Sequence, residues 1–420
     1  MGKIVNAAKM SFKSMSANKL RTALTVLGIV IGVSSVIMVY SAGEGIYNLL
    51  LKQIESFGTN IIETEIRVPS NKKADGAVDQ QSNSAISSGV QITTLKLTDM
   101  DDLKKMSNVV DGYAAIMSQD QASYGGETKK AFLSGVSAAY IKIDKGEIDS
   151  GRFFSEDEDK SLAQVVVLGS NLKEKLFGDS DAVGKFLTLH KEKYQVVGVM
   201  KERGGSLGMN FDDYVYLPIK TLQKKIMGID HVMYMVHQLK DPARAAETAA
   251  EATDILRANH EITDPVKDDF AVVTMEEMMK TLNTITGALT ILLLAIITIS
   301  LIVGGVGILN VMHVSVSERT AEIGLRKAVG ANYRDIMRQF LTESVVITLF
   351  GGLIGMLVGV LASWGLAFGA RSFGLDWQFS IPLKAFVVSF TFSAAFGIIF
   401  GIGPAKRAAR LDPVEAMRRE

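Results

Sequence analysis

Hydrophobic and charged residues are sorted into blocks along this chain. Residues 22–43, 281–317, 344–370 and 385–405 contain no Asp, Glu, Lys or Arg, and apolar side chains dominate each block. A bilayer core of roughly 30 Å takes about 20 apolar helical residues to cross, and every block reaches that length. Buried helices of a soluble core seldom run past about 25 residues without a charge. The pattern predicts a membrane α-helical protein with four transmembrane helices, at 21–43, 284–314, 341–370 and 385–404.

The interval 44–283 is patterned differently, with short runs rich in β-branched residues alternating with helical stretches, as in a large α+β domain between helices one and two. TNIIETEIRV reads as a strand, AQVVVLG and YQVVGVM as buried strands, and LTDMDDLKKM as a short helix opened by Thr98 with Asp101 three residues on. DPARAAETAAEATDILRANH is helical, with Asp241 as its cap and Pro242 in the first turn. DDFAVVTMEEMMKTL passes from a strand into a helix that continues toward the second span, so helices attach the domain at both ends. Residues 75–89 are polar, small and aperiodic, which predicts a mobile loop, with contact to a partner as the alternative. Ahead of the first span, residues 1–20 set Ile4, Ala8, Phe12 and Met15 on one helical face and Lys9 and Lys13 on another, the pattern of an interfacial amphipathic helix.

Charge gives the topology a direction. The chain carries 45 basic and 45 acidic residues, so no net field points to a nucleic-acid partner. Lys3, Lys9, Lys13, Lys19 and Arg21 precede the first span with no acid among them. Arg319, Arg326, Lys327, Arg334 and Arg338 follow the second span, and Lys406, Arg407, Arg410, Arg418 and Arg419 follow the fourth. The excess of Lys and Arg in these three segments predicts that they are cytoplasmic, the termini included. The domain at 44–283 and the short loop at 371–384 are then extracytoplasmic, and 405–420 is a cytoplasmic tail. The basic start is longer than the n-region of a secretory signal and no clear A-x-A site follows, so a signal anchor is expected. The absence of cysteine rules out disulfides and thiolate chemistry in these 420 residues.

Candidate chemistry is sparse. GDSDAVGKF, Gly178 to Phe186, imitates a P-loop, but five residues separate its glycines where four are needed, and Phe186 stands in place of the Ser or Thr that binds Mg²⁺. SEDEDK lacks the EF-hand spacing and reads as a solvated turn. His190, His231, His237, His260 and His313 form no metal-ligand motif, and no G-x-S-x-G is present. No residue is assigned a catalytic, cofactor-binding or metal-binding role. The spans carry no ionisable group at their centres, so a proton- or sodium-driven carrier is not indicated either. Gly304 and Gly305 in the second span, and Gly351, Gly355 and Gly359 in the third, make small faces suited to helix packing, within one bundle or between two copies.

The most informative stretch is SERTAEIGLRKAVGANYRDIMRQF, Ser317 to Phe340, which sets dense charge between two spans. Ala321, Leu325, Ala328 and Val329 form a narrow apolar face, Glu322 and Arg326 an i,i+4 pair, and Gly330 a helix stop, while Asn332 and Asp335 cap the next helix. A short, stiff helix on the cytoplasmic surface is a place for a protein partner to dock.

Several segments carry a resemblance. NVMHVSVSERTAEIGLRKAVGANYRDIMRQFLTES, PAKRAARLDPVEAMRRE, NKLRTALTVLGIVIGVSSVIMV and the block from GRFFSEDEDK to YQVVGVM resemble, in order, the motifs of MacB-type ABC exporter permeases, within the wider FtsX-like permease group. The resemblance covers almost the whole chain. It implies a homodimeric permease in the bacterial inner membrane, with a MacB-like extracytoplasmic core domain at 44–283 and a cytoplasmic ABC ATPase dimer docked on a coupling helix at 315–340. The coupling role falls on Glu318, Arg319, Glu322, Gly324, Arg326, Lys327 and Gly330. ATP–Mg would bind the ATPase and nothing the permease directly; a membrane-fusion or adaptor protein and membrane lipid are the other implied partners. About 20 residues precede the first span and no Walker A motif occurs, so the ATPase is expected on a separate polypeptide. The implied function is mechanotransmission for efflux of an amphiphile, antibiotic, peptide or lipid-linked cargo. Activation of cell-wall hydrolases by an FtsX-like signalling permease and lipoprotein release are the alternatives.

Overall fold

The computed structural model describes residues 19–56, 60–69, 92–144, 146–206, 209–373, 375 and 377–418. The amphipathic helix expected at 1–20 lies outside these residues except for its last two, and the loop expected at 75–89 lies outside them altogether. The chain divides into two compact units, one built from residues up to Leu49 together with those from Thr284 onward, the other from Leu50–Asn283.

The first unit is helical. Its long elements are α1 (Lys19–Ser56), α2 (Met275–Glu318), α3 (Tyr333–Ser372) and α4 (Leu383–Arg410), with a short helix at Thr320–Ala328 between α2 and α3 and another at Pro413–Arg418 after α4. Among the described residues four helices are long and apolar enough to cross a membrane, over Val26–Leu51, Met275–Glu318, Tyr333–Ser372 and Leu383–Arg410. Each outruns the uncharged block that predicted it. Freedom from charge marks where a helix can lie in hydrocarbon, whereas the helix itself continues as long as good formers such as Glu, Lys, Leu and Met follow.

Small residues let the helices approach. A side chain at Gly28 of α1 would meet the backbone of Gly304 of α2 at 2.9 Å. Gly305 faces the Phe400 ring of α4, while Gly351, Gly355 and Gly359 of α3 lie against Ile29, Val33 and Ile37 of α1. All five glycines singled out in the sequence therefore make contacts inside one bundle. Between α3 and α4, Ser344 Oγ donates to the Gly397 carbonyl and Ser393 Oγ to that of Thr348, a reciprocal pair of side-chain clamps.

The second unit is α+β. Among the described residues twelve strands follow in order: β1 (Ile61–Ile66), β2 (Val109–Tyr124), β3 (Glu127–Val136), β4 (Ile148–Gly151), β5 (Val165–Leu168), β6 (Phe186–Leu189), β7 (Glu192–Met200), β8 (Gly205–Ser206), β9 (Met209–Asn210), β10 (Tyr214–Pro218), β11 (Tyr234–Leu239) and β12 (Phe270–Thr274). Ten of them form one sheet in the order β12-β1-β11-β2-β3-β10-β5-β7-β4, and β6 pairs with both β2 and β7. That double pairing closes a hydrogen-bonded circuit through β2, β3, β10, β5, β7 and β6. The long β2 serves both parts: Val109–Ala115 pair with β11, and Ala122 and Ser123 pair with β6.

Alternation along β2 sorts the core. Ala114 and Ile116 join one apolar cluster with Leu133, Val166 and Leu217, while Tyr113 and Ala115 join another with Val136, Val167 and Tyr216. The helix Ala245–Asn259 covers the first cluster through Ala252 and Leu256, after a 3₁₀ turn at Pro242–Arg244 in which Asp241 accepts from the Ala243 amide at 2.9 Å. Two local expectations are corrected. The short helix spans Leu97–Leu103 and is held not by Thr98 but by Asp99, whose carboxylate accepts from the Lys96 amide at 2.8 Å. SEDEDK is not a turn but a helix, Glu156–Lys160, because Ser155 and Glu158 form a capping box and Arg152 grips Glu158 at 2.7 Å.

Candidate functional site

The connector between α2 and α3 begins where α2 ends at Glu318. Arg319, with φ −107° and ψ 18°, leaves helical geometry, and the short helix Thr320–Ala328 follows it. It ends in a Schellman motif: the Ala331 amide donates to the Arg326 carbonyl at 3.0 Å and the Gly330 amide to that of Lys327 at 3.1 Å. Gly330 sits at φ +104°, a conformation that a residue with a Cβ adopts only under strain. Asn332 then caps α3, its amide bonded to Asp335 at 3.3 Å.

The buried side of this helix is narrow. Ile323 is 2% exposed and belongs to a cluster with Met312, Val316, Ile336, Phe340 and Ala409. A side chain at Gly324 would meet the Ala416 Cβ of the Pro413–Arg418 helix at 2.8 Å, so only glycine permits that approach. Ala321, Leu325, Ala328 and Val329, the apolar face read in the sequence, point the other way: Leu325 is 59% and Val329 83% exposed.

The charged residues divide by destination. Glu318 and Glu322 are exposed. Arg319 turns inward to Glu343 of α3, N to O 3.4 Å, where the Glu343 side chain is 5% exposed. Arg326 pairs with Glu322 and also donates to Gln339 of α3 at 2.7 Å. Lys327 reaches away from both, to the carbonyls of Ala409 at 3.1 Å and Leu411 at 2.5 Å at the end of α4. Of the seven residues read as a coupling surface, the geometry thus leaves Glu318 and Glu322 outermost and uses Arg319, Gly324, Arg326, Lys327 and Gly330 to build and hold the helix. Gln339, Glu343, Ala409, Leu411 and Ala416 did not stand out in the sequence. A carbonyl acceptor carries no residue-type signature, and a lone Gln or Glu near a helix start has many uses.

In the α+β unit the titratable groups are tied to one another. His260 lies between two carboxylates, Nδ1 2.8 Å from Asp269 and Nε2 3.3 Å from Asp99. Those hydrogen bonds, Asp269 first, hold its imidazolium to about 9. Arg203 Nη2 meets Asp144 at 2.6 Å among Tyr113, Tyr140 and Tyr216, and burial pushes the Asp144 carboxyl up to about 6 despite that partner. Glu63 on β1 is pushed up to about 7, by burial first and by Glu65 second. Sequence position gave no hint of the pairing, because Asp99 and His260 are 161 positions apart.

Among the described residues, four helices able to cross a membrane, with an α+β domain inserted between the first and second and a short connector helix between the second and third, make the architecture of a polytopic membrane protein. Residues 22–255 match the family described as MacB-like periplasmic core domain, and residues 294–413 match the FtsX-like permease C-terminal family. The chain belongs to the MacB-type ABC permease family, a family of the bacterial inner membrane. It is 35% identical over 418 residues to the macrolide export ATP-binding/permease protein MacB of Wolinella succinogenes, covering 99% of this chain and 61% of that protein. Similarity to the MacB of Bdellovibrio bacteriovorus is 34% identity over 413 residues, covering 97% of this chain and 61% of that one. The chain therefore spans about three-fifths of the length of these relatives. The crystal structure of the periplasmic region of MacB from Actinobacillus actinomycetemcomitans aligns at 22% identity with a TM-score of 0.45, over 56% of this chain and 97% of that one.

Proposed function

We propose that this chain is the membrane-spanning part of a MacB-type ABC exporter, and that ATP hydrolysis by an ABC ATPase is coupled through its connector helix to movement of the α+β domain. The supporting observation is the connector itself: a capped, buried-side-anchored helix that presents Leu325 and Val329 to solvent with Glu318 and Glu322 beside them. Exposed aliphatic side chains on a short, stiff helix suit insertion into a groove of a partner, where a few buried anchors carry most of the binding energy. The ATP–Mg site belongs to that ATPase; these 420 residues hold no Walker A motif. A homodimer of the chain, surrounded by membrane lipid, would meet an ATPase dimer on the cytoplasmic side and a membrane-fusion or adaptor protein on the other. The cargo class is an amphiphile, antibiotic, peptide or lipid-linked molecule, handled by the outer domain.

The test is ATP hydrolysis by the ATPase assembled with this permease in nanodiscs. Leu325→Asp and Glu322→Lys are expected to lower the permease-dependent stimulation by about tenfold, the size of a lost interface anchor. Stimulation equal to wild type in both variants would remove the docking assignment.

A further inference from the structure

The contacts that fix the connector helix lead mainly to the third and fourth spans. Arg319 reaches Glu343 and Arg326 reaches Gln339, both on α3. Lys327 reaches the Ala409 and Leu411 carbonyls, which close α4. The last carbonyls of a helix have no intrahelical donor and carry the negative end of its dipole, so a lysine ammonium there satisfies both needs. Gly324 brings the Pro413–Arg418 helix, which follows α4, within van der Waals contact of the connector. Spans α3 and α4 are in turn joined by the Ser344 and Ser393 clamps and by Gly352, Gly397 and Gly401 at their interface. Toward α2, Thr320 Oγ1 donates to the Ser317 carbonyl at 2.9 Å and to that of Val316 at 3.1 Å, the Arg319 amide donates to the Ser315 carbonyl at 3.2 Å, and Ile323 shares an apolar cluster with Met312 and Val316. The hydrogen bonds to α2 bridge only the chain-adjacent junction, whereas those to α3 and α4 tie the connector to segments distant in sequence and specify one geometry.

We propose that the connector helix, α3, α4 and the helix Pro413–Arg418 move as one body, with Lys327 as the positioning residue that locks the connector to the end of α4. A push on the connector then reaches the third and fourth spans together. The inference rests on the reading of the connector as the ATPase contact.

The chain contains no cysteine, so engineered thiols meet no competitor within it. In the assembled transporter in nanodiscs, a Gly324→Cys, Ala416→Cys pair is oxidised; a disulfide needs its Cβ atoms about 4 Å apart, so the two helices part by about 1 Å to accept it. Oxidation is expected to leave ATP hydrolysis within about twofold of the reduced protein, an effect too small to reflect loss of a needed motion. Loss of hydrolysis on oxidation, restored by reduction, would overturn the proposal, since the two helices would then have to separate in each cycle. The second arm places spin labels at the exposed Ala321 and Leu383, and compares the distance between them without nucleotide and with ATP. That distance is expected to stay unchanged in the otherwise wild-type chain and with Lys327→Arg, which keeps the charge and the donors. Lys327→Met is expected to make it shift with ATP while the nucleotide-free distance stays at the wild-type value, a split that simple loss of folding does not produce. An ATP-dependent shift with Lys327 in place, or none in Lys327→Met, would sink the proposal. Failure of the parent reading looks different: Leu325→Asp would then stimulate hydrolysis as wild type does, whatever the label distances report.

Discussion

His260 shows how a single side chain can make part of this protein's stability depend on pH. Held between Asp269 and Asp99, its imidazole titrates at about 9 in the folded chain against 6.5 unfolded. The folded pKa is the higher one, so the stabilisation is complete below about pH 6.5 and is lost as pH rises through about 9. Burial of the pair, with the His260 side chain 5% exposed, leaves little screening by water. The shift corresponds to roughly 3 kcal/mol at most. Circular dichroism melts of the purified chain are expected to show the α+β unit losing stability between pH 6.5 and 9. His260→Gln is expected to be less stable than wild type at pH 6 and nearly flat across that window. Parallel slopes in the two proteins would show that another group is responsible. Glu63 adds to this trend at lower pH: its raised carboxyl weakens the fold as pH climbs from 4.5 to about 7.

At the scale of elements, the membrane helices are held by close approach rather than by charge. Lipid is as apolar as leucine, so helices gain by packing tightly, and small residues make that possible. Gly355 and Gly359 leave no room: a Cβ at either would lie 2.8 Å from Val33 or Ile37 on α1. Gly355→Leu and Gly359→Leu are each expected to destabilise the α1–α3 contact by about 1–3 kcal/mol, the usual cost of overpacking. Gly369, with nothing within 4 Å, is the control, and Gly369→Leu is expected to be neutral. Unfolding of the reconstituted chain in a denaturing detergent series measures the difference. The sequence showed the α3 half of these contacts through its four-residue glycine spacing. The same spacing recurs in Gly28 and Gly32 on α1, which face Gly304 and Leu301 of α2, and in Gly397 and Gly401 on α4, which face Thr348 and Ser344 of α3. No spacing rule would have found the Ser344 and Ser393 clamps, since a serine that bonds a neighbouring helix looks like one that bonds its own.

For the whole molecule, the charge asymmetry makes a prediction that the helices alone do not: which side is which. The connector segment and tail carry ten Lys and Arg between them at the positions named above. The expectation is that Leu325→Cys reacts with a membrane-impermeant maleimide only in opened cells, and that Val110→Cys, 57% exposed on β2, reacts in cells whose cytoplasmic membrane is intact. Labelling with the opposite pattern would invert the topology and place the connector out of reach of any cytoplasmic ATPase.

What the sequence determined by itself was whatever can be read from one neighbourhood of residues at a time. Blocks of apolar residues specify helices that sit in a bilayer, because the cost of a charge in hydrocarbon acts on each residue separately. Valine-rich runs specify strands, and Gly330 ends a helix through its own backbone. The tertiary structure alone decided which residues meet across long intervals: the closure of β6 between β2 and β7, His260 with Asp99, Lys327 with the end of α4. It also decided which way the connector faces. Leu325 and Val329 could have lain against the bundle, but Ile323 and Gly324 take that side because only glycine lets the Pro413–Arg418 helix come close. A pairing between distant residues depends on the path of all the chain between them, and no local pattern of hydrophobicity or charge encodes that path.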